Sequence, residues 1–198
     1  MSECKVPNLG PVSNAVVYGL EESIRRAKFP MSVNVSELSD TMTPGIEGLA
    51  KSGTGEGHDQ WLTGVVVQFD LTFSIKAWTE AERYHFLDFV SSQSTMHRIA
   101  RFNMDEHYDE HVDPRIIEIV KELVDRYNET RDPEDYLRLL MSNPCGMTLT
   151  AGMTTNYRQL KTIYKQRKTH RLPEWRAFCA WIETLPRAEL ITGEGKKE

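Results

Sequence analysis

The chain has 198 residues, a length that can form one domain with a substantial hydrophobic core. Its formal net charge of −5 argues against a general nucleic-acid-binding surface, so no polymeric nucleic acid is expected as a partner. The sequence holds no apolar run of the roughly 18 residues that span a membrane, and its three cysteines form no CxxC pair, which is typical of a reducing cytoplasm.

The first half of the chain predicts one helix, one long loop and one strand. Apolar residues recur at helical spacing within 16–29. The composition then shifts to Ser, Thr, Gly and Pro, which predicts a long loop over 33–60. His58 in this loop could reach a ligand, although a lone loop histidine is more often simply exposed. Residues 64–75 are β-branched and aromatic and predict a strand.

The second half predicts mainly helices, over 79–94, 113–129, 132–142, 154–168 and from Pro173 onward. Thr79 and Glu82 have the spacing of a capping box, and Asp113 precedes a proline as an N-cap does. The last residues, 191–198, are expected to be a flexible tail. The fold class predicted from this pattern is α+β, a helix-rich single domain over 1–198 with a small sheet.

Five polar residues that suit an anionic ligand fall within eleven positions, namely Gln93, His97, Arg98, Arg101 and Asn103. Guanidinium groups bind phosphates through paired hydrogen bonds, and an imidazole can face a flavin or donate to a phosphate. The alternative is a solvated helix end whose basic side chains contact only water and terminal carbonyls.

Two arginines of the helix predicted over 154–168, Arg158 and Arg167, are nine residues apart and lie on different helical faces. They could serve two ligands or two neighbouring subunits. The alternative is a cationic, exposed face of an amphipathic helix.

A metal site is a further alternative, since His107 and His111 are four residues apart and several carboxylates surround them. On a helix this spacing would bring both imidazoles to one side, where they could hold zinc or iron in a hydrolase. The stretch lacks the HExxH order and no distant ligand is marked, so no metal is predicted. The sequence also lacks a GxGxxG turn and a P-loop, and Cys179 lies on an apolar face.

Taken together, these segments resemble the flavin-dependent thymidylate synthases. The stretch "QSTMHRIARFNMDEHY" matches the signature of that family at Gln93, His97, Arg98, Ala100 and Asn103. "GHDQWLTGVVVQFDLTF" is similar to a Gly-His-Glu-Ser/Thr segment that leads into a strand. Pro144 precedes Asn156 by twelve residues, as in the family, and Arg158 and Arg167 fall in register.

The resemblance implies a cytoplasmic or phage-encoded homotetramer whose active sites form between subunits. FAD would be held by Ser32, His58, His97 and Arg98, and by Asn156 and Arg158 of a neighbouring subunit. A pyrimidine nucleotide would contact Gln93, Arg101, Asn103 and Arg167, with Gln93 and Arg167 as the catalytic candidates. Reduced flavin would be the hydride donor, methylenetetrahydrofolate the carbon source and NADPH the reductant.

The sequence departs from the family at positions where the resemblance implies residues around the nucleotide phosphate. These positions are Met96, Met104, Glu106, Tyr108 and Leu140. Three interpretations follow: another nucleotide, a rearranged phosphate site, or a lost activity. The leading hypothesis is an FAD-dependent enzyme that acts on a pyrimidine deoxynucleotide. The alternative is a non-catalytic relative that binds a nucleotide or flavin.

Overall fold

A sheet and a set of mostly short helices make up the computed structural model, which describes residues 3–53 and 55–193. Within these ranges five strands pair in the order β1-β2-β3-β5-β4. They are β1 Glu3–Lys5, β2 Val12–Tyr18, β3 Val66–Ser74, β4 Asp88–Ser92 and β5 Thr148–Asn156. The β1–β2 and β2–β3 pairs are antiparallel, with Val17 opposite Cys4 on one side and Val67 on the other.

The helices confirm the predicted helix-rich α+β class. They are α1 Leu20–Arg26, α2 Pro44–Ala50, α3 Ile75–Ala81, α4 Thr95–Arg98, α5 Pro114–Thr130, α6 Pro133–Ser142, α7 Tyr157–Arg167, α8 Pro173–Ile182 and α9 Glu189–Thr192. Short 3-10 turns cover Phe29–Met31, Val35–Glu37, Gln60–Gly64 and Ile99–Arg101. None of the described helices has both the length and the apolar character of a membrane span.

Contacts between residues divide the chain into two compact units. The first comprises Met1–Leu71, Tyr84–Val90 and Gly152–Glu198, and the second comprises Thr72–Arg83 and Ser91–Ala151. The expectation of one domain over 1–198 stays a prediction.

The core of the first unit is built on aromatic rings from β3 and α8. Phe69 and Trp181 have ring centroids 5.0 Å apart, and Phe178 and Trp181 stack at 5.3 Å. The apolar face predicted for the last helix is therefore buried as expected. Burial also raises the pKa of the Cys179 thiol to about 12, which leaves it an inert packing residue.

The core of the second unit forms where α5 and α6 pack against the turn that precedes them. Ile99, Met104, Val120 and Leu139 are its buried centre. The predicted starts of both helices are confirmed, because the side chains of Asp113 and Asp132 accept hydrogen bonds from backbone N–H groups of the first turn. Ile116 and Ile119 of α5 are exposed, although both are apolar and lie close to the helix face that buries Val120.

The helix predicted over 79–94 is wrong. Helix α3 starts earlier, because Ser74 Oγ at the end of β3 accepts from the Ala77 N–H at 3.1 Å. Thr79 lies inside this helix and donates to the Lys76 carbonyl at 2.8 Å, so it caps nothing. The chain then turns, and Asp88–Ser92 becomes strand β4.

Three other expectations need correction. Residues 12–18 are a strand, so the first helix is shorter than predicted. The predicted loop over 33–60 contains α2, which Thr43 caps and which buries Ile46 and Ala50. The predicted flexible tail begins too early, because Ile191 is buried within α9. Its residues 194–198 lie outside the described part of the chain.

Candidate functional site

Strand β5 ends at Asn156, and this residue sets the geometry of the first turn of α7. Its Oδ1 accepts from the Gln159 N–H at 2.9 Å, a standard N-cap bond. The helix predicted from 154 therefore starts at Tyr157. The Asn156 Nδ2 group has no hydrogen-bond partner within the described residues and lines a cavity. Asn156 thus both caps the helix and offers an amide donor.

Arg158, in the first turn of α7, is held by a buried carboxylate. Its Nε donates to Asp59 Oδ1 at 3.0 Å and its Nη1 donates to Gln60 Oε1 at 2.8 Å. Asp59 Oδ2 accepts from Lys161 Nζ at 2.9 Å, so one carboxylate binds two cations. The Arg158 side chain keeps 35% of its surface exposed, whereas that of Asp59 keeps 5%. The guanidinium is therefore fixed on one edge and open on the other.

The Asp59 charge is stabilised by its two partners. Burial by itself would raise the pKa of this carboxyl, but hydrogen bonds and charges from Lys161 and then Arg158 outweigh it and hold the pKa below the ordinary value. Lys161 Nζ also donates to the carbonyls of Ala50 and Ser52, both at 2.7 Å. The network thus ties the end of α2 to α7.

A cavity of about 440 Å³ opens beside this network. Its lining residues are Asp59, Gln60, Thr63, Phe86, Asn156, Arg158, Gln159 and Thr162. The Phe86 ring is 61% exposed, which leaves an apolar face next to the donors of Arg158 and Asn156. An exposed ring beside amide and guanidinium donors suits a flat, polar-edged ligand.

Arg167, the other predicted arginine of α7, lies in an aromatic pocket and not on an exposed face. Only 8% of its surface is exposed. Its Nε donates to Tyr84 Oη at 2.7 Å and its Nη1 donates to His170 Nε2 at 2.8 Å. The guanidinium carbon lies 4.7 Å from the centroid of the Trp175 ring, which adds a cation–π contact. The interpretation of α7 as a purely solvated cationic helix is therefore wrong at Arg167.

The predicted anion-binding stretch of the second unit is exposed. His97 and Arg98 lie in the four-residue helix α4, and Arg101 ends the 3-10 turn that follows. The side chains of all three lack a hydrogen-bond partner within the described residues. Gln93 is different, because its Oε1 accepts from the Thr150 N–H at 2.8 Å and its own N–H donates to the Thr150 carbonyl. Asn103 Oδ1 accepts from the Asp105 N–H in a local turn.

The two remaining cofactor candidates lie in the first unit. His58 is exposed and directly precedes the buried Asp59. Ser32 follows the 3-10 turn Phe29–Met31 in extended conformation and is partly buried. Neither lines the Arg158 cavity, so the structure groups only Asn156 and Arg158 of the predicted set there.

The histidines of the alternative metal site do not share a helical face, because residues 105–112 form turns, bends and an isolated β-bridge and no helix. His107 Nδ1 lies 3.2 Å from the Thr148 carbonyl, and His111 Nδ1 lies 2.7 Å from Asp109 Oδ1. Over residues 3–53 and 55–193, no cluster of three or more His, Cys, Asp or Glu side chains is placed to hold a metal ion.

The sequence matches no family model and no curated protein. Solved structures share its fold. A flavin-dependent thymidylate synthase ThyX from Helicobacter pylori, complexed with FAD and dUMP, has a TM-score of 0.70 at 13% identity, over 98% of this chain and 99% of that one. A second ThyX structure from that organism, also with FAD and dUMP, gives a TM-score of 0.72 at 13% identity, with 98% of both chains covered. This chain has the fold of the flavin-dependent thymidylate synthases.

A UMP/dUMP methylase PolB from Streptomyces cacaoi, bound with 5-Br dUMP, shares the fold with a TM-score of 0.66. It is 14% identical, and the match covers 98% of this chain and 96% of that one. The thymidylate synthase fold expected from the sequence resemblance is confirmed.

Positions at which this chain departs from the thymidylate synthase signature are mostly packing residues. Met104 belongs to the buried centre of the second unit, and Leu140 packs against it. Tyr108 Oη donates to Asn143 Oδ1 at 2.8 Å, and burial raises the pKa of this phenol to about 12. Met96 and Glu106 are exposed. Apolar side chains thus fill space where the resemblance implies phosphate ligands.

Two residues beside Arg158 were not identified from the sequence. Asp59 binds Arg158 directly, and Lys161 binds the same carboxylate. One signal pointed to the first of them. Asp59 follows His58 in "GHDQ", where the family segment carries glutamate. Lys161 is three residues after Arg158 and therefore on the same side of α7, but its partners are more than 100 residues away along the chain.

Proposed function

We propose that the protein is an FAD-dependent enzyme that transfers hydride and a one-carbon unit to a dUMP-like pyrimidine deoxynucleotide. The observation that carries this proposal is the fold, shared over nearly the whole chain with proteins crystallised with FAD and dUMP. The cavity beside Asn156 and Arg158 supports it, because these are two of the residues that the resemblance assigns to FAD.

The cavity suits part of a flavin nucleotide. Ligand pockets usually measure about 300–1,000 Å³, and the Arg158 cavity, at about 440 Å³, can take a ring system with its attached chain. Bound FAD, once reduced by NADPH, would supply the hydride. Arg158 and Asn156 would donate hydrogen bonds to acceptor atoms of the cofactor, and Phe86 would cover a ring face. His58 and Ser32, together with His97 and Arg98 from another subunit, would complete the binding site.

Arg158→Ala is expected to weaken FAD binding by at least about tenfold, since a hydrogen bond to a charged group contributes roughly 1.5–3 kcal/mol. Titration of deflavinated protein, followed by visible absorbance, measures this. Arg158→Lys keeps the charge but loses the planar fork and should fall between wild type and alanine. Arg115→Ala removes an equally charged, 88% exposed side chain and serves as the control. Absence of flavin binding at high micromolar concentration would rule out the proposal that this protein is a flavoprotein.

The nucleotide would be bound by Gln93, Arg101, Asn103 and Arg167. Hydrogen bonds and ring contacts already orient Arg167, so its guanidinium is preorganised for an anion. Arg101 is exposed and lacks a side-chain partner within the described residues, so it can reach a phosphate. Gln93 and Arg167 are the proposed catalytic residues, and methylenetetrahydrofolate and NADPH the proposed co-substrates.

Weak or absent turnover of dUMP is expected in a thymidylate synthase assay, because Met104 and Leu140 offer no donor to a phosphate and the Tyr108 hydroxyl already donates to Asn143. Calorimetry should show that any pyrimidine nucleotide binding falls at least about fivefold in Arg101→Ala and in Arg167→Ala. Glu106→Ser should change it little, since this exposed carboxylate is screened by solvent. Turnover at rates typical of the family would contradict the argument from the missing phosphate ligands.

A homotetramer with sites shared between subunits is proposed as the assembly. Arg158 faces a cavity while Arg167 lies in a separate aromatic pocket, and apolar side chains such as Ile119 and Met141 are exposed in the second unit. Sedimentation at micromolar concentration should therefore show a species several times the 22.8 kDa of one chain. A single monomeric species would exclude shared sites.

A second candidate is a non-catalytic relative that binds a flavin or nucleotide. The packing of Met104 and Leu140 in the core favours it. These side chains stand where the resemblance implies phosphate ligands, and a protein that no longer acts on a nucleotide needs none there. Flavin binding with no conversion of any pyrimidine nucleotide, in the presence of the folate and NADPH, would select this candidate over the enzyme.

A further inference from the structure

A second cavity of about 520 Å³ lies beside the same helix and is lined by lysines. Lys161 and Lys165 are in α7, and Lys168 caps its C-terminal end. Their spacing of four and three residues places all three on one side of the helix, opposite the buried Leu160 and Ile163. The full lining is Lys51, Ser52, Gly53, Lys161, Thr162, Tyr164, Lys165, Gln166, Lys168, Ile191, Thr192 and Gly193.

The lining carries four lysines and no carboxylate. Lys161 is neutralised on the inner side by Asp59. Lys51 and Lys165 are exposed, and no carboxylate pairs with either within the described part of the chain. Lys168 Nζ lies 5.3 Å from the centroid of the Tyr164 ring. In a protein with a net charge of −5, this cavity is therefore a local concentration of positive charge.

The helix dipole explains only part of this pattern. Basic residues in the last turn of a helix stabilise its C-terminal end, which accounts for Lys165 and Lys168. Lys51 is the C-cap residue of α2, more than 100 residues earlier, so its charge suits the dipole of a different helix. The dipoles do not explain why the ends of these two helices line the same cavity. Two separate segments thus contribute lysines to the lining of one concave space.

We infer that this cavity binds a phosphate-bearing anion of the pyrophosphate class. Lysine ammonium groups act as compact point charges for phosphate oxygens, and several of them suit a group with two or more negative charges. Two sources share this chemistry. The anion can be the diphosphate of a dinucleotide that extends from the Arg158 cavity, since Thr162 lines both cavities, or a free polyphosphate. The inference does not depend on flavin chemistry.

The test is calorimetric titration of inorganic pyrophosphate into the full chain at low ionic strength. Saturable binding is expected, with an affinity about tenfold weaker in Lys165→Gln and in Lys51→Gln. Lys76→Gln, which removes the same charge from α3, should bind as wild type does. No saturable binding up to millimolar concentration would overturn the site. Equal losses in all three variants would also overturn it, because they would indicate only a net-charge effect.

Competition with FAD identifies the source of the phosphates. If pyrophosphate displaces FAD, and Lys165→Gln weakens both ligands, the cavity holds the diphosphate of the dinucleotide. If pyrophosphate binds equally well to FAD-saturated protein, the cavity takes a separate polyphosphate. Pyrophosphate binding in a protein that binds no FAD would support this site while the proposed function fails.

Discussion

Replacing Trp175 with alanine is expected to lower the free energy of unfolding by about 3–5 kcal/mol, the usual cost of deleting a large buried aromatic side chain. The Trp175 side chain is fully buried. Its ring meets Tyr84 edge-on with centroids 5.8 Å apart and covers the Arg167 guanidinium. The substitution therefore leaves a cavity and also removes a face of the pocket that holds a charged group. Urea denaturation, followed by circular dichroism, measures the change.

Phe86→Ala is the matched control, because it also deletes an aromatic ring of the first unit. That ring is 61% exposed, so its loss should change stability by no more than about 0.5 kcal/mol. Similar losses in the two variants would show that Trp175 does not form part of a packed core. The two variants also distinguish an effect on stability from an effect on binding. Phe86 lines the Arg158 cavity, so its loss should lower the affinity for the ligand and leave the stability of the fold unchanged.

Asp59→Asn should lower the free energy of unfolding at neutral pH by about 2–3 kcal/mol. Breaking a buried ion pair costs about 3–5 kcal/mol, and the partial exposure of Arg158 and Lys161 reduces that figure. The amide keeps the shape of the carboxyl group but leaves two cations without a counter-charge. Because Arg158 also loses its orientation, FAD affinity should fall with stability. Asp125→Asn, an exposed change of the same kind in α5, should affect neither.

The stability difference between wild type and Asp59→Asn should depend on pH in one direction. The pKa of Asp59 is lower in the folded protein than in the unfolded chain, where it is about 3.9. The carboxylate therefore contributes fully above about pH 4, and its contribution is lost as the pH falls through the folded pKa. Denaturation curves of both proteins should converge below that range. A difference that stays constant into strong acid would show that Asp59 acts through packing alone.

The sequence was sufficient for the helices whose start signals are local. Asp113-Pro114 and Asp132-Pro133 place a capping carboxylate directly before a proline, and both helices begin there. Pro173 opens the last long helix at its first position, although Leu172 before it supplies no side-chain cap. The strand over 66–74 was also predictable, because its β-branched and aromatic residues contrast with the polar segments around it.

Strands β2, β4 and β5 were not predictable, because each pairs with a strand distant in sequence. Strand β1 has three residues, too few for a local pattern, and pairs with the nearby β2. Thr148–Asn156 has four threonines but also a glycine and no run of large apolar residues, and it becomes a strand through its place beside β3. Phe89 and Val90 in β4 are adjacent and both are exposed, so no alternating apolar face marks this segment as a strand. Local propensity cannot decide such segments, since strand pairing depends on long-range hydrogen bonds.

Of the candidate site, the sequence by itself determined Asn156 and Arg158, through the family resemblance; that Asn156 caps α7 was decided by the structure. Only the tertiary structure decided what surrounds them. Asp59 is 99 residues from Arg158 along the chain, and the ion pair forms because the 3-10 turn Gln60–Gly64, which Asp59 precedes, packs against α7. The burial of Arg167 among Tyr84 and Trp175 and the lysines around the second cavity have the same origin. A sequence identifies its charged residues. The partners that orient and bury them come together only when distant segments of the chain pack.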